Sequence, residues 1–161
     1  MFIATLMLVA SLGAGQAAGA AKIDRLVVEK AKHTLTLYAG TEVVKVYRVA
    51  IGVGPPGNKT NGGDDRTPEG RYIIDFKNPK SAFHRALHIS YPNKQDRELA
   101  RQRGVRLGAL IAIHGTPEFI ERIQDGGEHP DWTAGCIGMR NTEIEEIYAL
   151  VPAGTPIEIK P

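Results

Sequence analysis

Asp131-Trp132-Thr133-Ala134-Gly135-Cys136-Ile137-Gly138-Met139-Arg140-Asn141 carries the only cysteine of a 161-residue chain. A second stretch, Ile111-Ala112-Ile113-His114-Gly115-Thr116, sets a histidine twenty-two positions before Cys136. A free thiol ionises near pH ~8.5, so it needs a base to act as a nucleophile at neutral pH. Histidine is the usual base, and it need be adjacent only in space. Cys136 is therefore the candidate nucleophile, and His114 the candidate proton donor and acceptor. Gly135 lets the backbone turn sharply and leaves the sulfur open to approach. The N–H groups of Gly135 and Cys136 are the candidate oxyanion hole. Asp131 or a backbone carbonyl could orient the imidazole.

The composition, 42% hydrophobic and 24% charged, fits one globular domain with its own core. The net charge is +2, and no basic run is interleaved with aromatics, which argues against a nucleic-acid partner. Arg97, Arg101, Arg103 and Arg106 read as the solvated face of a helix. Residues 1–20 stand apart as a signal peptide. Met1 to Leu12 is apolar apart from Thr5 and Ser11, a small-residue run follows, and Ala18-Gly19-Ala20 offers a cleavage pattern. The apolar part is shorter than the ~20 residues of a membrane span, so no transmembrane segment is expected after processing. This reading places a domain of residues 21–161 outside the cytoplasm, in the periplasm or cell envelope. Structural cysteines there come in pairs. A lone one in a polar, glycine-rich loop reads as chemical rather than structural.

Along the chain, strand signals dominate. Residues 23–29 and 33–38 read as a strand pair, the second alternating apolar and polar side chains. Ala39-Gly40-Thr41 is a turn, and residues 42–51 form a third, β-branched strand. Residues 52–70 are a long glycine-rich loop of the kind that lines a site. It lacks the spacing of a phosphate cradle. Strands follow at 71–76 and 87–91. Asn93 is a helix N-cap and Gly104 its stop. The apolar run 109–113 reads as a buried strand delivering His114. Thr116-Pro117 opens a short helix carrying Phe119, Ile120 and Ile123. Thr142-Glu143-Ile144-Glu145 reads as a capping box for a helix with Ile144, Ile147, Tyr148 and Val151 on one face. Residues 155–160 close the chain as a strand. The fold class expected is mainly β with short helices (α+β). His88, His114, His129 and Cys136 match no zinc spacing, so no metal and no cofactor is expected.

These residues resemble the L,D-transpeptidases with a YkuD-type catalytic domain. That family has His-Gly, then Ser/Thr-x-Gly-Cys followed by an apolar residue. Here His114-Gly115 and Thr133-Ala134-Gly135-Cys136-Ile137 match it. Thr67-Pro68-Glu69-Gly70-Arg71-Tyr72 is similar to the family's Thr-Pro-x-Gly-x-aromatic element. Asp131-Trp132-Thr133 together with Leu87-His88-Ile89-Ser90-Tyr91-Pro92-Asn93 resembles the subgroup of the murein-lipoprotein amidase. The resemblance implies a β-sandwich or barrel and a cell-wall stem-peptide substrate. It implies a cysteine acyltransferase that forms a thioester at the L-centre of diaminopimelate and passes it to an amine. The subgroup implies a hydrolase alternative, an amidase cutting stem peptides or releasing a wall-linked lipoprotein. Thr133, Ala134, Arg140 and His88 become candidates for orienting the histidine or binding substrate. In the family the residue at Ala134 is often His, and its backbone carbonyl orients the catalytic histidine. Gly138 stands where many members have Arg, which leaves a substrate carboxylate without that partner. A non-catalytic wall-binding module and a papain-like protease are the rival classes. The second needs a Cys-before-His order with a downstream Asn, which this chain lacks.

Overall fold

The structure is a computed structural model that describes residues 22–108, 110–117, 119–120, 122 and 131–161. The expected signal segment 1–20, with Ala109, Ile123 and His129, lies outside the described residues. Strand β1 (Arg25–Glu29) pairs antiparallel with β2 (Thr34–Ala39), setting Leu26 opposite Leu37 and Val28 opposite Leu35. A 3-10 turn over Lys30–Lys32 joins them, and Gly40, at φ 61°, turns the chain into β3 (Glu42–Arg48). After the long loop come β4 (Gly70–Ser81), β5 (His84–Ile89) and helix α1 (Lys94–Arg103). Then follow β6 (Ala112–His114), β7 (Ile137–Gly138), α2 (Asn141–Leu150) and β8 (Pro156–Lys160).

The sheet runs β3-β2-β1-β8-β4-β5-β6-β7. The last strand is thus central, parallel to β1 and antiparallel to β4. Two register breaks in β4 let this one strand serve both halves. The two ends of the sheet meet. Ala50, just beyond β3, exchanges backbone hydrogen bonds with Gly138 of β7 at 2.8 and 2.9 Å. Gly52 bridges to Thr133. The mainly β sheet therefore closes on itself as a barrel through bridges just beyond β3, while β3 itself pairs only with β2.

The core is made by the inward half of each alternation: Leu35, Leu37, Ile74, Leu87, Ile89, Ile113, Ile137, Met139 and Ile157. Each buried Leu or Ile contributes about 1.5–3 kcal/mol of transfer free energy. Helix α2 lays Ile144 and Ile147 on this core, with Val151 also buried and Tyr148 partly so. Its start differs from expectation. Arg140 is at the N-cap, and the Glu143 carboxylate accepts the Arg140 N–H at 3.3 Å. The helix begins early because Asn141 clamps Thr116, accepting its N–H at 2.9 Å and donating to its carbonyl at 3.1 Å. Thr142 is left exposed, and the expected capping box on it does not form. The expected strand over 109–113 is also shorter. Leu110 is left-handed (φ 63°) and 74% exposed, which ends the ladder before β6. Strand β4, by contrast, outruns the expected 71–76, because Lys77 and Asn78 continue pairing with Leu87 and Ala86.

Two buried ammonium groups organise the long loop. Lys30 Nζ donates to the carbonyls of Gly57 (2.6 Å) and Thr67 (3.0 Å) and to Glu69 Oε1 (2.8 Å). Lys59 pairs with Asp64 at 2.9 Å, the two side chains being 2% and 9% exposed. Burial opposes the Asp64 charge. Lys59 and the N–H groups of Thr60, Arg66 and Asn61 outweigh it, holding the carboxyl well below the usual carboxylate range. A depressed native pKa makes this stabilisation present above the unfolded value of ~3.9 and lost as pH falls through the folded one. Asp64→Asn leaves the buried ammonium uncompensated. It is expected to destabilise the protein at pH 7 by about 3 kcal/mol in urea unfolding. A loss below about 0.5 kcal/mol, the level of an exposed pair, would show that the pair does not order the loop.

Candidate active site

The parallel pairing of β6 and β7 brings the two sequence motifs together. Ile113 pairs with Ile137, and His114 with Gly138. Both isoleucines are fully buried in the core. Alternation then turns His114 and Gly138 to the opposite face, and two residues back along the strand Cys136 shares that face. For a regular strand extended back to Cys136, a spacing of ~4.8 Å and a rise of ~3.3 Å per residue correspond to a His114–Cys136 Cα separation of about 8 Å.

His114 is 4% exposed. Its Nδ1 lies 2.7 Å from the Gly115 carbonyl oxygen. A carbonyl only accepts, so Nδ1 carries the proton and Nε2 is left as the acceptor a base requires. The imidazole stacks on Phe83 (centroids 4.5 Å, planes at 27°) and meets Trp132 edge-on (5.5 Å, 67°). Gly115 must lack a side chain, since a Cβ there would lie 2.4 Å from Asn141 Oδ1 and 2.8 Å from the Phe83 carbonyl. Burial pushes the imidazole below its ordinary value, and the Gly115 carbonyl pulls weakly the other way.

The turn that presents Cys136 is held from within. Thr133 Oγ1 donates to the Cys136 carbonyl at 2.6 Å and accepts the Gly135 N–H at 3.2 Å. Gly135 has φ 126°, and a Cβ on it would sit 2.6 Å from the Arg66 carbonyl oxygen. The thiol donates to the Leu110 carbonyl at 3.6 Å. Burial raises the Cys136 pKa, while the Ala112 backbone and the Lys59 charge pull it down. Both directions favour the neutral forms of thiol and imidazole.

Several expected roles change in this geometry. Of the two expected oxyanion donors, the Gly135 N–H already donates to Thr133 Oγ1. Asp131 does not orient His114. Its carboxylate accepts the Ile51 N–H at 2.8 Å and meets His33 Nε2 at 3.1 Å. The orienting carbonyl is that of Gly115, and Ala134 is exposed. Arg140 sits at the N-cap of α2. His88 pairs with Asp75 at 2.6 Å on β5, opposite Ala112 and so in the cross-sheet row that Cys136 extends. The polar loop around the cysteine is less open than its composition suggests, because Gly135, Ile137, Gly138 and Met139 are all buried. Among the described residues no three His, Cys, Asp or Glu side chains converge to hold a metal ion. A cavity of about 610 Å³ lies to one side, lined by residues that include Lys30, His33, Ile51, Gly52 and Asp131, but by neither His114 nor Cys136.

Phe83, Leu110 and Lys59 are missed by sequence reasoning, since each reaches the site from a separate turn or loop. A neutral resting pair sets the pH response. Alkylation of Cys136 by iodoacetamide is expected to rise with pH to a midpoint above the ~8.5 of a free thiol. A plateau already reached at neutral pH, as for thiolate–imidazolium pairs with thiol pKa values of ~3.5–7.5, would contradict this.

Comparison with known proteins agrees with the geometry. A family model described as the L,D-transpeptidase catalytic domain (YkuD) matches residues 23–159. YafK of Escherichia coli (strain K12) is 28% identical over 128 residues, 76% of this chain and 44% of YafK. YqjB of Bacillus subtilis (strain 168) is 29% identical over 138 residues, 83% of this chain and 69% of YqjB. The chain therefore spans less than half the length of YafK. In fold, it is similar to the helical cell shape determining protein Pgp2 of Campylobacter jejuni. That likeness has a TM-score of 0.61 at 22% identity, over 85% of this chain and 47% of Pgp2. An L,D-transpeptidase of Xylanimonas cellulosilytica gives 0.57 at 15% identity, over 87% and 61%. Because the family match runs through nearly the whole described chain, this protein belongs to the family of the L,D-transpeptidase (YkuD) catalytic domain.

Proposed function

We propose that this chain is a cysteine acyltransferase acting on peptidoglycan stem peptides, with Cys136 as nucleophile and His114 as proton carrier. The observation that carries the reading is the tautomer of His114. Its Nδ1–H is committed to the Gly115 carbonyl, and its Nε2 is an acceptor on the face that Cys136 shares. Both groups start neutral, so the thiol proton moves to Nε2 as sulfur attacks, not before.

The steps follow from that state. Cys136 Sγ forms a bond to the carbonyl carbon of the diaminopimelate L-centre in a tetrapeptide stem, and its proton passes to His114 Nε2. The Cys136 N–H stabilises the oxyanion. As the tetrahedral intermediate collapses, the C–N bond to terminal D-alanine breaks. His114 returns the proton to the departing amine, and a thioester remains. An amine of a second stem then attacks the thioester, giving its proton to His114, which reprotonates the leaving Cys136 sulfur. Water in place of the amine gives hydrolysis, the amidase alternative. A wall-linked lipoprotein is a further donor within that alternative. No helix among the described residues is long and apolar enough to cross a membrane. Wall chemistry of this kind belongs in the periplasm or cell envelope, with the protein exported to reach its substrate.

Incubation with a tetrapeptide muropeptide and a free D-amino acid, read by mass, tests this. The parent is expected to exchange terminal D-alanine for the added amino acid. Cys136→Ala and His114→Ala are each expected to lose at least about a thousandfold in turnover, the scale seen when a nucleophile or its base is removed. Tripeptide without exchange would replace transfer by hydrolysis at the same cysteine. Turnover retained in Cys136→Ala would overturn the reading.

A further inference from the structure

We infer that Trp132 is a positioning residue for His114, filling the volume that a side chain at position 138 would otherwise take and packing, together with Phe83, against adjacent sides of the imidazole. This rests on the assignment of His114 as the base.

The observations are steric. Gly138 is the cross-strand partner of His114, so its missing side chain leaves a gap beside the imidazole on the same face of the sheet. The indole fills that gap. A Cβ on Gly138 would lie 2.6 Å from Trp132 Cζ2, 2.9 Å from Cε2 and 3.1 Å from Nε1. No side chain at 138 coexists with Trp132 in this place. The same indole meets the imidazole edge-on at 5.5 Å and 67°, an arrangement favoured by the aromatic quadrupole. Phe83 stacks on the imidazole at 4.5 Å, and the Phe83 and Trp132 centroids, 6.2 Å apart, lie on adjacent sides of it. With Nδ1 tied to Gly115, both the rotation of the ring and its access to water are then restricted.

The placement of Trp132 has no hydrogen bond to account for it. Its indole N–H is buried and has no partner among the described residues. What the indole has in exchange is contact with Gly138 and His114. Glycine at 138 and the indole at 132 are thus sterically interdependent.

The test reads His114 directly, by its imidazole nitrogen shifts against pH, alongside turnover. In the parent, His114 is expected to titrate below the ordinary ~6.5 and to hold the Nδ1–H tautomer. In Trp132→Ala the midpoint should rise to about the ordinary value and the Nε2–H tautomer should appear. In that variant kcat should fall about tenfold with KM changed less than twofold, and Trp132→Phe should restore most of both. Gly138→Ala must displace the indole and should reproduce Trp132→Ala, and it carries the test if Trp132→Ala does not fold. The double variant should be no worse than either single one, because both break one contact. An unchanged His114 titration in folded Trp132→Ala or Gly138→Ala would overturn the inference, as would additive losses in the double variant. Turnover that survives Cys136→Ala while the His114 titration still shifts would remove the catalytic reading and leave the clamp standing.

Discussion

The paired hydrogen bonds between Ala50 and Gly138 join the two ends of the sheet, and the turn that carries Cys136 depends on them. Strand β7 has only two residues, far too few to hold a position by ladder pairing with β6 alone. Closure gives it a partner on its other side. Thr133 repeats the device one turn earlier, where its carbonyl accepts the Val53 N–H at 3.0 Å. The segment from Thr133 to Gly138 is therefore stretched between two strands, and Cys136 lies between the anchors. Gly52 and Gly135 make that closure sterically feasible. A Cβ on Gly52 would be 3.0 Å from the Gly135 Cα and 2.1 Å from the Asp65 carbonyl oxygen.

The same closure decides the electrostatics. Backbone packed on both sides of the turn partly buries the thiol, and Phe83 and Trp132 pack against a buried imidazole. Burial then penalises the thiolate and the imidazolium alike, which keeps the resting pair neutral. Lys59 offsets part of this at the sulfur, and Asp64 keeps that ammonium itself tolerable in a buried place. The loop over 52–70 thus contributes charge as well as shape, although no residue of it is a proton carrier in the proposed chemistry.

Much of this was legible in the sequence, for identifiable reasons. Helix α1 announces itself through Asn93 and Gly104, which act locally and need no tertiary partner. Alternation in residues 34–38 shows a half-buried strand for the same reason. That the His114 and Cys136 motifs come to neighbouring strands was expected from chemistry alone, because a thiol and its base need only be adjacent in space. Other features depend on contacts no local pattern carries. Strand β7 exists only because Ala50 and Ile113 flank it. Leu110 belongs to an apolar run yet turns outward, presenting its carbonyl to the thiol. The role of Asp131 depends on Ile51 and His33, some eighty and ninety-eight positions away. Phe83 sits in a polar turn that gives no hint of stacking on a histidine. The family's arginine position reads as a loss in the sequence and as a filled volume in three dimensions.

The central claim is that the Cys136 sulfur carries the acyl group between donor and acceptor. Intact-mass measurement of protein quenched during turnover on a tetrapeptide stem, followed by peptide mapping, tests it most directly. The expected result is a tripeptidyl adduct on the peptide containing Cys136, released by hydroxylamine as a thioester is. An adduct on any other residue, or sustained turnover with no adduct at all, would contradict it.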